Sequence, residues 1–465
     1  MSATPVRYNF RYALVISAVS ALGGLLFGYD WVVIGGAKPF FERYFELNSE
    51  ALVGWANSCA LLGCLAGSMM AGPLCDRFGR KRAMIVSALL FGISSIFTGW
   101  SPAFTWFIVW RMTGGIAIGL ASAVSPMYIA EVSPASLRGR LVALNQLTIV
   151  VGILASQIVN WLIARPIPIG ATAEMVRLSW NGQYAWRWMF TAVAVPSAVF
   201  LLCALFVPES PRWQIKKGAL ADARRTLVRI GGEAYAGKVV GEVRGSLDSE
   251  GVAKAPLPIL FSSRFLPLLL VAIGLAVLQQ WSGINVIFNY AEEIYRSAGY
   301  GVGDVLFNIM ITGTINLIFT LLAMAMVDRF GRRFLMLLGC AGIGVSHVLL
   351  GFAYRLNLKG LPVLILTLSA IACYALTLAP VVWVLISEIF PNRIRAAGLS
   401  AAVSALWIAC FALTFTFPIL NRALGPSGTF WLYGGICFAG LVFVQRCVPE
   451  TAGLSLEEIE RQVSA

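Results

Sequence analysis

Asp76-Arg77-Phe78-Gly79-Arg80 and Asp328-Arg329-Phe330-Gly331-Arg332 are one five-residue phrase written twice in a single chain. Each copy sits in a short polar gap between two long apolar runs. Two further pairs follow in the same order. Glu131-Val132-Ser133-Pro134, with Arg138, is echoed by Glu388-Ile389-Phe390-Pro391, with Arg395. Pro208-Glu209-Ser210 is echoed by Pro449-Glu450-Thr451. One repeated phrase can arise by chance, but three in register mark a duplicated unit, and two like halves around a central site is a plan that membrane carriers use.

The composition says what surrounds those halves. Of 465 residues, 58% are hydrophobic and only 12% are charged. A soluble domain carries about a quarter charged residues, so this chain has too little polar surface to meet water on all sides. Lipid then demands helices of roughly 20 apolar residues, because only a helix of that length satisfies its own backbone there. The apolar runs predict twelve spans, at about 12–36, 51–74, 82–100, 104–126, 141–163, 186–207, 265–290, 303–327, 333–355, 361–387, 396–420 and 428–447. The stretch from about Tyr12 to Gly28 is too long for a cleaved signal core and lacks a small-residue cleavage site, so it reads as the first span. The expected fold is an all-α membrane protein: a six-helix bundle over 1–207, a polar linker with short helices over 208–264, and a second six-helix bundle with a short tail over 265–465.

The formal charge of +13 lies in alternate gaps. Arg77, Arg80, Lys81 and Arg82 fill one, Arg138 and Arg140 the next, then the linker, then Arg329, Arg332 and Arg333, then Arg393 and Arg395. The other gaps hold few basic residues, such as Lys38 and Arg43. Nucleic-acid binders gather Lys and Arg on a hydrophilic face instead, so that partner is not expected. Alternation of this kind predicts both termini and the linker in the cytoplasm, in a multi-pass inner-membrane protein. Nine cysteines, mostly within apolar runs, and a single histidine form no metal spacing. No H-E-x-x-H, Ser–His or phosphate-loop motif appears. Neither an enzyme, a cofactor nor a metal is expected.

Taken in order, these motifs resemble the sugar porters of the major facilitator superfamily. They are Gly28-Tyr29-Asp30, the two five-residue phrases, Arg111, Pro126-Met127-Tyr128-Ile129-Ala130-Glu131 and Pro208-Glu209-Ser210-Pro211-Arg212-Trp213. Gln279-Gln280-x-x-Gly283-Ile284-Asn285, then Trp383 before Ser387-Glu388, and Pro449-Glu450-Thr451 complete the set. The resemblance runs from about residue 10 to 460 and is closest in pattern to bacterial pentose and hexose proton symporters. It implies two bundles that rock about a midplane sugar site, with a small sugar, protons and the bilayer as partners; a monomer is expected.

Charge inside a bilayer costs at least about 2.5–3.5 kcal/mol unless compensated, so intramembrane ionisable residues are functional candidates. Asp30 and Arg111 are the two, and a carboxylate that alternates between pairing with Arg and binding a proton is a workable proton carrier. The resemblance agrees, since its proton symporters carry Asp at this place and facilitative carriers Asn. The further Glu of the xylose symporter is matched here by Val193, which keeps a uniporter open as the alternative; a non-transporting sensor is a lesser one. Amides offer both donor and acceptor to sugar hydroxyls, and the chain has Gln146, Gln279, Gln280, Asn285 and Asn316 within its spans, with Trp383 and Trp407. By resemblance these line the sugar site together with Phe27. Departures at Ile153, Leu406, Asn289 and Ala379 leave the sugar unnamed. Asp76 is placed to cap the helix after its turn. Asp76, Arg80, Glu131, Arg138, Asp328, Arg332, Glu388 and Arg395, with Glu209 and Glu450 added by resemblance, are expected to latch helix ends together on the cytoplasmic side.

Overall fold

Eleven helices of the computed structural model are long and apolar enough to cross a membrane. The model describes residues 8–167, 172–250, 260–263, 265–390 and 394–450, leaving undescribed the side chains of 246–250, 302, 303, 327, 328 and 396. The spans, numbered along the chain, are span 1 (Phe10–Tyr44), span 2 (Glu50–Phe78), span 3 (Arg80–Gly99), span 4 (Phe104–Val132), span 5 (Arg138–Ile163) and span 6 (Asn181–Phe206). The second half has span 7 (Leu266–Asn289), span 8 (Val302–Phe330), span 9 (Arg332–Arg355) and span 10 (Leu361–Ile389). The last helix, Arg395–Cys447, has 53 residues and breaks at Gly425, whose φ of 67° is not helical. At 1.5 Å per residue a helix of that length is more than twice the thickness of a bilayer core. Its two legs are therefore spans 11 and 12, and the twelve expected spans are present.

Span 6 shows why these helices suit lipid. Val195, Val199, Leu202 and Phe206 recur at helical spacing and all stand exposed, a stripe that water would not tolerate at this scale. Inside the first half, small residues let backbones touch. A Cβ added at Gly115 of span 4 would sit 1.9 Å from the Ala60 carbonyl of span 2, so only glycine fits. Spans 2 and 11, and spans 5 and 8, pack side by side and join the halves.

The repeated phrase becomes the same turn twice. Gly79 (φ 94°) and Gly331 (φ 79°) swing the chain straight from one span into the next, a left-handed backbone that glycine adopts without strain. The start of each new helix meets a carboxylate. Glu209 accepts from the Arg80 and Lys81 amides at 2.8 and 3.1 Å, and Glu450 from the Arg332 and Arg333 amides at 2.9 and 3.1 Å. An anion here satisfies orphan N–H groups and faces the positive helix end, worth about 0.3–1 kcal/mol each. This corrects the expectation for Asp76. Its carboxylate instead meets Lys216 at 3.3 Å and Arg80 at 3.9 Å, because Asp76 lies within span 2 and Gly79 occupies the cap position of span 3.

The linker helices Pro211–Lys216 and Leu220–Glu250 follow span 6. Ser210 caps the first, with Pro211 in its opening turn. The second begins at Leu220 and changes direction at Gly232. They dock on the first half: Trp213 Nε1 donates to the Asp76 carbonyl at 3.2 Å, and the Ile230 carbonyl accepts from the Asn9 amide at 2.8 Å. Lys254, Arg264, Pro391, Arg393, the Asp328 side chain and the tail from Thr451 lie outside the described residues.

Gly115→Leu is expected to cost about 3 kcal/mol or more by forcing spans 2 and 4 apart. A melting curve in detergent checks this against Gly72→Leu, which has nothing within 4 Å of its added Cβ and is expected to melt like the parent.

Candidate functional site

Asp30 and Arg111 meet in the interior of the first half. Arg111 Nη1 donates to Asp30 Oδ1 at 3.2 Å, and the two residues are 3% and 4% exposed. The guanidinium also lies 5.3 Å from the centre of the Phe190 ring, so its other face is covered by an aromatic surface. Among the described residues, the second carboxylate oxygen, Oδ2, has no hydrogen-bond partner, and neither does Arg111 Nε. Space for that oxygen comes from Gly114: a Cβ there would lie 3.3 Å from it. One oxygen thus holds the arginine while the other is free to take a proton. Val193, the position matched to a further acid, is a fully buried valine.

The second half is built around two interrupted helices. Span 7 stops at Trp281 and resumes at Ile284, across Gly283 at φ 82°. Residues past the break no longer reach back to the Ser282 carbonyl, because the Val286 amide bonds Gly283 instead. His347 Nε2 supplies the missing donor at 2.8 Å. A carbonyl only accepts, so the ring carries its proton on Nε2. Span 10 is interrupted at Thr377 (φ −126°, ψ −84°), three residues before Pro380, which has no N–H to offer the preceding turn. The two breaks occupy equivalent places, each in the first helix of a three-helix unit, as in inverted-repeat carriers.

Between the breaks lies a chain of amides. Gln279 Nε2 donates to the Leu378 carbonyl at 3.1 Å, just past the span 10 break. Gln280 Nε2 donates to Gln279 Oε1 at 3.3 Å, and Asn285 donates to Gln280 Oε1. Asn285 also reaches Cys410 Sγ on span 11 at 3.5 Å. All three amides are over nine-tenths buried. One turn before Cys410, Trp407 is buried with its indole Nε1 unpartnered. Phe27 of span 1 approaches that indole from the other half at 6.2 Å between ring centres, and Trp31 approaches it at 5.8 Å. Donors, acceptors and ring faces therefore converge where the halves meet, a setting suited to a small neutral molecule with many hydroxyls.

The remaining sequence candidates are more dispersed. Asn316 is buried in span 8, and Gln146 is half-buried in span 5. Trp383 is 38% exposed and off the buried stripe of span 10. On the basic face, Arg80 pairs with Glu131 at 2.9 Å, and Glu131 also takes the Ser210 hydroxyl. Arg332 lies 3.8 Å from Glu388. Both pairs stay within a half. Arg138 is exposed, and Arg395 Nε donates to the Phe390 carbonyl at 3.1 Å.

Sequence reading missed three interior residues. Trp31 is one helical turn from Phe27, a spacing that was available as a signal. Gln157 of span 5 is 2% exposed with both amide atoms unpartnered among the described residues, and an amide in an apolar run was likewise visible. His347 read as an isolated residue, and nothing in the sequence ties it to Ser282.

Comparison with known proteins places the whole chain. Residues 16–463 match the family model described as sugar (and other) transporter. The chain is 36% identical over 485 residues to the D-xylose-proton symporter of Escherichia coli strain K12, covering 98% of this chain and 96% of that one. It is 40% identical over 465 residues to the glucose transport protein of a Synechocystis strain, covering 97% of each. Its fold is similar to the xylose transporter XylE from E. coli in a partially occluded inward-open conformation, at a TM-score of 0.84 and 34% identity, over 96% of this chain and all of that one.

His347→Leu is expected to lower stability by about 1–3 kcal/mol, the cost of leaving the buried Ser282 carbonyl with only the weak Cys437 thiol donor at 3.8 Å. His347→Gln, which still carries a donor, is expected to recover part of it. Thermal melts of both variants in detergent check the claim.

Proposed function

The chain belongs to the sugar transporter family, and from that membership we propose that it carries a monosaccharide, a pentose or hexose, across the cytoplasmic membrane together with a proton. The observation that carries the reading is the buried Asp30–Arg111 pair with one carboxylate oxygen left open. It lies on the same helix as Phe27 and Trp31, which meet Trp407 of the opposite half across the seam.

The mechanism is alternating access. With Asp30 ionised, Arg111 holds span 1 against span 4. A proton on Oδ2 removes the charge that Arg111 balances and loosens that hold. Span 1 then shifts, and with it the aromatic rings beside Trp407. Gln279, Gln280 and Asn285 hold sugar hydroxyls, trading some of their mutual bonds for bonds to the ligand. Gln146, Asn316 and Trp383 join as the halves rock. The basic loops face the cytoplasm, and so do both termini. The halves divide at 207/208 and 264/265, and the protein acts as a monomer. Glu209 and Glu450 hold the repeated turns rigid, and the remaining loop charges join the halves in the outward-open state.

A second reading, facilitated diffusion, is favoured by one feature: the buried Val193, where a further acid is absent.

In proteoliposomes, one proton per sugar allows up to about tenfold accumulation for each unit of pH gradient. Asp30→Asn is expected to abolish that accumulation while leaving counterflow exchange within a few-fold of the parent. Accumulation that survives in Asp30→Asn removes Asp30 from the coupling; a parent that exchanges sugar but never concentrates it establishes the uniporter instead.

A further inference from the structure

Lys38 is a lysine with 1% of its surface exposed, two turns beyond Asp30 on span 1. It is not part of the coupling pair or the amide cluster. Its ammonium donates to Glu293 Oε1 of the opposite half at 2.6 Å and lies 3.2 Å from Glu42 Oε1 on its own helix. The Tyr290 ring covers it at 5.3 Å. Glu292, beside Glu293, holds Arg296 at 3.5 Å. Arg43, from the last turn of span 1, is influenced by Glu42, Glu292 and Arg296. Three acids and three bases thus close around one contact between the halves, on the face opposite the basic loops.

The backbone leaves this contact no slack. A Cβ on Gly35, one turn before Lys38, would lie 2.4 Å from the Phe288 carbonyl. Span 1 and the second piece of span 7 cannot part without drawing Lys38 away from Glu293. While the seam is closed, the ammonium is out of water and depends on its carboxylates, since a buried charge without a partner is strongly unfavourable. Once the seam opens, water solvates both ends, and an exposed pair contributes little. The pair therefore acts in one of two conformations, as a contact must if it is to shift the balance between them.

We propose that Lys38 is a positioning residue for transport: with Glu42, and with Glu293 on the short helix Ala291–Ser297 that follows span 7, it locks that helix and the second piece of span 7 against span 1 and sets how often the face opposite the basic loops opens. The lock rests on the carrier reading for its purpose but not for its existence.

The test is hydrogen exchange of the full chain in lipid nanodiscs, read on the peptides covering 284–297. Lys38→Met and Glu293→Gln are each expected to speed exchange there at least threefold. The charge swap Lys38→Glu with Glu293→Lys is expected to bring it back toward the parent rate. Protection unchanged in the single variants, or a swap that exchanges no more slowly than they do, overturns the lock. If Lys38→Met does not fold, Glu293→Gln and the swap decide the matter alone. Uphill accumulation that depends on Asp30 is expected to persist in Glu293→Gln, so loss of the lock and loss of the coupling reading stay distinguishable.

Discussion

A carboxylate and a guanidinium facing each other where water is scarce constrain everything around them. Neither Asp30 nor Arg111 can be left alone at that depth, so spans 1 and 4 are bound to one another whenever both are charged. The hydrogen bond uses one carboxylate oxygen. The other faces a gap that Gly114 leaves. The pair thus binds the two spans while leaving one oxygen open, where the proposed mechanism places the proton. Phe27 and Trp31 flank Asp30 on the same helix, so a change in the pair reaches the meeting place of the halves without a separate relay.

The second half pays for its polar interior differently. Its interrupted helices expose carbonyls that a continuous helix would have used. The protein answers at span 7 with His347 on the Ser282 carbonyl, and at span 10 Gln279 adds a bond to the Leu378 carbonyl in the opening turn of the resumed helix. Gln279, which bonds the backbone beside the span 10 break, also carries the chain of side-chain bonds to Gln280 and Asn285. In the proposed mechanism the same amides serve the fold and the sugar.

The sequence made much of this readable. Duplication, twelve spans and the basic loops are local signals: a repeated phrase, apolar length, counted charges. Asp30, Arg111, Gln279, Gln280 and Asn285 stood out because polar groups in apolar runs need a reason. Other features depend on partners far along the chain, and these were not legible. Glu209 caps a helix that starts at Arg80, and no spacing rule reaches across that distance, so the nearer Asp76 drew the assignment. The break at Thr377 has a proline signal, but Gln279 as its partner comes from packing. Lys38 looked like a loop charge relevant only to orientation, and its burial is visible only once span 7 lies against span 1.

The central claim is that sugar and proton cross together on one path through Asp30. The most direct measurement is the lumenal pH of sealed proteoliposomes, reported by a trapped dye, when sugar is added outside with no other gradient imposed. The account predicts a sugar-dependent acidification of the lumen that disappears in Asp30→Asn. Sugar that enters the parent vesicles at full rate while the dye stays unchanged would contradict it.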